Sequence, residues 1–355
     1  MKYKVKNILK EALGVPDNLY ETAELVYEMI LPRIKSLKKS DLDEDNQYDI
    51  EFEGDFRIAD FNFRDIEITF TIIEEEKLEK PEIISMSVES QSKTTDDFRL
   101  KNIRNETAKL SIRIVLPENF DYKNLTNFLI EDKKFVIESL VHELKHHYDA
   151  NKLIYDNIYQ RSTYSGVSRK RFGIWPVDRF LHDIYYTTIT ESLVRPSEVA
   201  AAIRNNDISQ KDFIKFLQDN DTYKNLRRIS NFTYEGLREE IYEKMDRVNM
   251  LLEHLNYDIN KMSDEEKINE VLRLVMVNVA NWTVDSFRGL MTTSFIEKLF
   301  GFEDEKEKVF QRFVNRNHRF KTPEEFFRYY EKLFKFVGEN MIRKIAKLFA
   351  ITKKS

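Results

Sequence analysis

Three of the six histidines in this 355-residue chain lie within six positions, in the stretch VIESLVHELKHHYDA at residues 136–150. Within that stretch, His142, Glu143 and His146 form the pattern H-E-x-x-H. On a helix, residues i and i+4 lie on the same face, so both imidazoles can bind one metal ion. Glu143, next to the first histidine, can then act as a general base instead of a ligand. The sequence therefore predicts a helical site for one Zn²⁺ per chain.

The composition excludes several other kinds of site. The chain contains no cysteine, so a metal must be held by histidines and carboxylates, and thiol nucleophiles are excluded. Lys and Arg number 57 against 62 Asp and Glu, so no basic field predicts binding to nucleic acid. The eight glycines form neither a G-x-G nor a P-loop pattern. No membrane span or signal peptide is evident, which predicts a cytoplasmic or virion-associated protein.

Changes in hydrophobic periodicity divide the chain into three regions. Residues 1–45 are predicted to form an N-terminal helical segment, 46–204 the core, and 205–355 a helical C-terminal domain. Between about 48 and 117, apolar and polar residues alternate in DIEFEG, IEITFTI, IISMSVE and KLSIRIVLP, as in a sheet with one buried face. Helical periodicity returns near Glu131. The pattern predicts an α+β fold whose helical part carries the site and continues as a C-terminal extension.

The motif HELKH, on an amphipathic helix that follows an alternating strand, resembles the active-site helix of the zincin metallopeptidases. The resemblance covers roughly residues 105–205 and implies a zincin-like core in which a small mixed β-sheet precedes the active-site helices. It also implies that the edge strand of this sheet lines the cleft, and it nominates KLSIRIVLP as that strand. The composition, which is rich in Lys, Asn, Ile and Phe, is similar to that of proteins from phages or A/T-rich bacterial genomes.

The third metal ligand decides the subclass of zincin. A continuation as H-E-x-x-H-x-x-G-x-x-H would supply a distal histidine, but HYDANKLIYD follows His146 and contains neither the glycine nor that histidine. Asp149 lies one turn beyond His146, and to reach the same metal it would have to bend the helix. We expect Asp149 to accept a hydrogen bond from a histidine N–H instead, which would fix the tautomer of that histidine.

Further along the chain, DRFLHDIYYTTITESLVRPSEVAAAIRNN is similar to the glutamate helix of the gluzincins. This similarity implies that Glu191 is the third ligand, with Glu198 as the alternative. Glu191, Arg195 and Glu198 are spaced i, i+4, i+7 and share one helix face, provided that Pro196 does not interrupt the helix. Gluzincins commonly carry an acidic residue four positions after the ligand. Here that position holds Arg195, so the residue that supports the ligands stays open.

The resemblance implies a zinc-dependent endopeptidase that acts on a protein or peptide substrate. Glu143 would take a proton from the attacking water and deliver it to the leaving amine. A tyrosine, histidine or arginine would stabilise the oxyanion, and among the side chains near Glu191 we favour Tyr185. The alternative is a structural or interaction protein, for example a phage virion component, with a metal-stabilised but inactive zincin fold. Glu143 favours the enzyme, because metal binding alone does not need a base.

Overall fold

The computed structural model describes residues 16, 18–59, 61–89, 107–152, 167–206, 208, 209, 211–291 and 303–352. Within these residues the chain is α+β, with a small mixed sheet and many helices, which confirms the predicted coarse class. In chain order the described elements are α1 (Leu19–Lys35), β1 (Gln47–Ile58), β2 (Phe61–Glu75), β3 (Glu82–Glu89), β4 (Thr107–Pro117), α2 (Leu125–Glu131), α3 (Lys133–Lys152), α4 (Trp175–Tyr186), α5 (Ile189–Asn205), α6 (Phe213–Asp219), α7 (Asp221–Ser230), α8 (Tyr234–Tyr242), α9 (Met245–His254), α10 (Asp264–Met291), α11 (Glu303–Asn317) and α12 (Pro323–Thr352).

The sheet has four strands in the order β1-β2-β4-β3. β1 pairs antiparallel with β2, β2 pairs parallel with β4, and β3 pairs antiparallel with β4. KLSIRIVLP forms β4 and is paired on both sides, so the expectation that this segment is the edge strand is wrong. The edge strand beside β4 is β3. Alternation within a strand shows which side chains are buried, but it does not encode which neighbours the strand will meet.

One face of the sheet is buried, as the alternation predicts. In β4, Leu110, Ile112 and Ile114 are buried, while the exposed Arg113 points to the opposite face. The buried face packs with α1, α2 and α3 into one hydrophobic core. Because α3 is part of this core, the helix that carries HELKH is fixed directly by the sheet.

The chain divides into two compact units, and each is discontinuous in sequence. The first comprises the described residues within Met1–Ile154, Leu193–Thr222 and Lys344–Ser355, and the second those within Tyr155–Ser192 and Tyr223–Arg343. The first unit therefore contains the sheet, α1 to α3 and most of α5. The three continuous regions inferred from periodicity, with boundaries at 45 and 204, stay a prediction.

The second unit is helical and has an aromatic centre. The Phe180 ring of α4 lies 4.8 Å from the ring of Phe327 and 5.4 Å from that of Tyr330, both on α12. Edge-to-face and tilted aromatic contacts of this kind add to the apolar area that the rings bury. None of the helices in the described part of the chain combines the length and the apolar composition that a membrane-spanning helix requires.

The first prediction concerns the sheet that supports α3. Ile112→Ala should lower the free energy of unfolding by about 2–5 kcal/mol, because it leaves a cavity in a buried central strand. Arg113→Ala, one position along on the exposed face, should change it by less than about 0.5 kcal/mol. Urea denaturation followed by circular dichroism measures both. Equal effects of the two changes would contradict the assignment of the buried face.

Candidate metal centre

Helix α3 is buried on its polar side as well as on its apolar side. Val136, Leu140, Leu144 and Tyr148 face the core, as predicted. The polar side chains of the stretch are buried too, although a solvent-facing helix would expose them: they are His142, Glu143, Lys145, His146, His147 and Asp149. Buried polar groups need hydrogen-bond, ionic or metal partners, because an unpaired one costs several kcal/mol. The contacts of this polar side therefore define the candidate site.

The two motif histidines face each other. His142 Nε2 and His146 Nε2 are 3.1 Å apart, and the two ring planes are inclined at 77°. This is the arrangement that the i, i+4 spacing predicts on a helix. The facing atoms are the nitrogens that a shared metal ion would use.

Glu191 completes a cluster of three groups that can bind a metal. One ligand atom from each of His142, His146 and Glu191 lies within 4.8 Å of the other two. Glu191 is fully buried and lies in the first turn of α5.

The start of α5 contains a local pattern that is typical of a helix N-terminus. The sequence Thr188-Ile-Thr-Glu191 is a capping-box pattern, and Glu191 N–H does donate to Thr188 Oγ1 at 3.5 Å. In a complete box the glutamate accepts from the N-cap N–H; the Thr188 N–H donates to Tyr185 O at 3.0 Å. One Glu191 carboxylate oxygen lies within 4.8 Å of a ring nitrogen of His142 and of His146.

The donor set and its spacing fit a zinc ion. Two histidines and one glutamate are a known set of protein ligands for catalytic zinc. Two nitrogens that are each about 2.0–2.1 Å from a tetrahedral zinc lie about 3.3 Å apart, close to the 3.1 Å between the two Nε2 atoms. The cluster lacks thiolates, which agrees with a chain without cysteine. His142, His146 and Glu191 are therefore the residues that would hold the metal.

Glu143 lies beside this cluster and is held by the sheet. Its Oε2 accepts a hydrogen bond from the backbone N–H of Val88, in the edge strand β3, at 2.8 Å. Its other oxygen, Oε1, is 3.8 Å from His142 Nε2. One oxygen is thus fixed by the backbone and the other is directed towards the candidate metal position. Periodicity could not predict this contact, because it depends on which strand forms the edge.

Two neighbouring residues of α3 have other partners. Asp149 forms a buried ion pair with Lys145, its neighbour at i−4 on the same helix. His147 packs against Phe61 and Phe63 of β2, with ring centroids 5.6 and 5.3 Å apart. Burial lowers the pKa of His147 to about 4. The structure thus directs His147 into the apolar core and places Lys145 at the carboxylate of Asp149.

The remaining residues singled out in the sequence lie on α4 and α5. Pro196 lies inside α5 without ending it, so Glu191, Arg195 and Glu198 share one continuous helix. Glu198 approaches His142 from the side of its Nδ1 atom, at 3.9 Å, and forms an ion pair with Arg195. Tyr185 is half-buried near the end of α4.

No family model, curated protein or solved structure matches the chain. The case for the site therefore rests on the geometry of its own residues.

The second prediction concerns the metal. Purified protein should contain about one zinc ion per chain, and His146→Ala should abolish binding, because it removes one of three protein ligands. His182→Ala removes an exposed imidazole of α4 and should leave zinc content unchanged. Elemental analysis after dialysis measures all three proteins. Absence of any transition metal in the unaltered protein would refute the site, and iron in place of zinc would refute the choice of metal.

The third prediction concerns pH. His147 has a pKa of about 4 when folded and about 6.5 when unfolded, so the unfolded chain binds the proton first as the pH falls. Its contribution to stability is therefore complete above pH 6.5 and is lost between pH 6.5 and 4, by up to about 3 kcal/mol. His147→Leu should reduce this acid sensitivity. Urea unfolding of the metal-free unaltered protein and of His147→Leu at pH 7, 6, 5 and 4 tests this, and identical pH slopes in the two proteins would contradict it.

Proposed function

We propose that this chain is a zinc-dependent endopeptidase of the gluzincin-like zincin type. The observation that carries the proposal is the position of the Glu143 carboxylate, which lies beside the His142–His146–Glu191 cluster and is not one of its members. A purely structural metal site needs ligands alone. A hydrolytic site also needs a base next to the metal, and Glu143 meets that requirement.

The roles of the ligands follow from their donor atoms. His142 and His146 would bind zinc through their Nε2 lone pairs, so each ring must be neutral with its proton on Nδ1. Glu191 would supply a carboxylate oxygen and one negative charge from the first turn of α5. When bound, zinc supplies Lewis acidity, which polarises a carbonyl group and makes water easier to deprotonate.

Proton transfer is assigned to Glu143. The Val88 N–H holds Oε2 at 2.8 Å, so Oε1 is the oxygen that takes a proton from the water attacking the scissile carbonyl. The same oxygen then gives the proton to the leaving amine nitrogen. Tyr185 stays our candidate for the group that stabilises the oxyanion.

The substrate in this proposal is a protein or peptide, and the enzyme acts in the cytoplasm or as part of a virion. The alternative function is a structural or interaction protein, for example a phage virion component, in which the metal only stabilises the fold. One contact favours this alternative. The Val88–Glu143 hydrogen bond gives Glu143 a structural role at the edge of the sheet, so a test must remove the base and retain that bond.

The fourth prediction uses Glu143→Gln for that purpose. The glutamine carbonyl oxygen can still accept the Val88 N–H, but the side chain is no longer basic. Zinc content and fold should be unchanged. The rate of peptide hydrolysis should fall by at least the roughly 10²–10⁴-fold that a positioned general base contributes. The assay compares cleavage of a diverse peptide library by zinc-loaded proteins.

Glu138→Gln is the matched control for this experiment. It makes the same substitution five residues earlier in α3, at a half-buried carboxylate that accepts a hydrogen bond from Asn205 at 3.2 Å. Its cleavage rate should equal that of the unaltered protein. Equal cleavage by Glu143→Gln would refute the mechanism, and no cleavage by the zinc-loaded unaltered protein would favour the structural alternative.

A further inference from the structure

Glu198 lies on the side of His142 that faces away from the histidine pair. Its Oε2 is 3.9 Å from His142 Nδ1, whereas Nε2 of the same ring is directed at His146 Nε2, 3.1 Å away. The two nitrogens of one imidazole therefore face two different environments. A carboxylate at Nδ1 is not positioned to bind a metal that is held at Nε2.

Two donors from different helices orient the Glu198 carboxylate. Arg195, three residues earlier in α5, donates to Oε1 at 3.3 Å and to Oε2 at 3.0 Å. The hydroxyl of Thr222, at the start of α7, donates to Oε2 at 3.0 Å. All of these residues and His142 belong to the first unit. The oxygen nearest to His142 is thus the one that both donors contact.

The position of this oxygen affects which nitrogen of His142 carries the proton. A metal ligand that binds through Nε2 must carry its proton on Nδ1, and a nearby carboxylate stabilises that tautomer. A separation of 3.9 Å is too long for a hydrogen bond, so the contact acts through charge. Carboxylates that contact a metal ligand in this way typically change metal affinity by roughly 10–100-fold. We expect the Glu198 contact to lie at the lower end of that range.

We propose that Glu198, oriented by Arg195 and Thr222, is a positioning residue that holds His142 in its metal-binding tautomer and is not itself a metal ligand. The inference rests on the zinc site of the proposed function. It also gives Arg195 a role, which is to hold the carboxylate that faces the histidine. In gluzincins the supporting carboxylate commonly lies one turn after the glutamate ligand, but here that position holds Arg195. Glu198, two turns after Glu191, would supply the supporting carboxylate instead.

The fifth prediction is that Glu198→Gln raises the dissociation constant for zinc about 10-fold. Thr222→Val, which removes the orienting hydroxyl, should raise it by a smaller factor, and Thr222→Ser, which retains a hydroxyl, should restore the original value. Glu191→Ala removes a ligand and should weaken binding more than Glu198→Ala does. Competition with a chromogenic chelator measures zinc affinity in the full chain. The visible spectrum of the Co²⁺-loaded protein should also change in Glu198→Gln, since it reports the geometry around the metal.

The matched control is Glu270→Gln in α10. Glu270 also pairs with an arginine three residues away, Arg273, and accepts a hydrogen bond from a hydroxyl, that of Tyr257. Its side chain is 17% exposed, against 22% for Glu198. Glu270→Gln therefore removes a similar ion pair, and it should change neither zinc affinity nor the Co²⁺ spectrum. Melting curves of the metal-free variants show whether each protein is folded.

The outcomes separate the inference from the proposed function. If the unaltered protein binds no zinc, the proposed function and this inference both fail. If it binds zinc and Glu198→Gln retains the same affinity and Co²⁺ spectrum as Glu270→Gln, the inference alone is overturned. A larger loss of affinity in Glu198→Ala than in Glu191→Ala would also overturn it, because Glu198 would then be the ligand.

Discussion

Burial of the polar side of α3 is the constraint on which the rest of the site depends. Polar groups in a protein interior need partners, and here the partners come from α3 itself and from the edge strand β3. Val88 N–H contacts Glu143, Asp149 pairs with Lys145, and the two motif imidazoles face each other. The contacts that stabilise these groups also fix where the donor atoms lie. The core and the candidate metal centre therefore cannot be altered independently.

Helix α5 supplies two carboxylates to the surroundings of one histidine. Glu191 and Glu198 are seven residues apart, which corresponds to about two turns and 10.5 Å of rise. They can serve different atoms of the site only while the helix between them is continuous. Proline normally breaks a helix by removing an N–H donor and by steric conflict with the preceding turn. Pro196 is nevertheless accommodated inside α5, so its tolerance determines whether both carboxylates reach the site.

The sequence predicted what depends on local periodicity. The strands, the buried positions of β4 and the facing of His142 and His146 follow from periods of two and 3.6 residues. The order of the strands does not follow from periodicity; the resemblance to the zincins assigned β4 to the edge, which is wrong, and the Val88–Glu143 contact was not predicted. The contact of Glu198 with Thr222 joins two helices and has no local signature. The Thr188-x-x-Glu191 pattern is a local signal for the start of α5 that was overlooked.

Glu143 distinguishes the proposed endopeptidase from the structural alternative better than His142 and His146 do, because both functions need the histidines as metal ligands. As a partner for the Val88 N–H, the side chain needs only an acceptor oxygen, and glutamine would provide one without charge. A buried carboxylate is costly unless a positive charge lies nearby. The residue is almost fully buried, and its second oxygen is directed towards the histidine pair. A metal ion there would offset the negative charge, and the proposed function would use this charge for proton transfer. The structural role of Glu143 thus explains an acceptor, whereas the proposed enzymatic role also explains why that acceptor is ionisable.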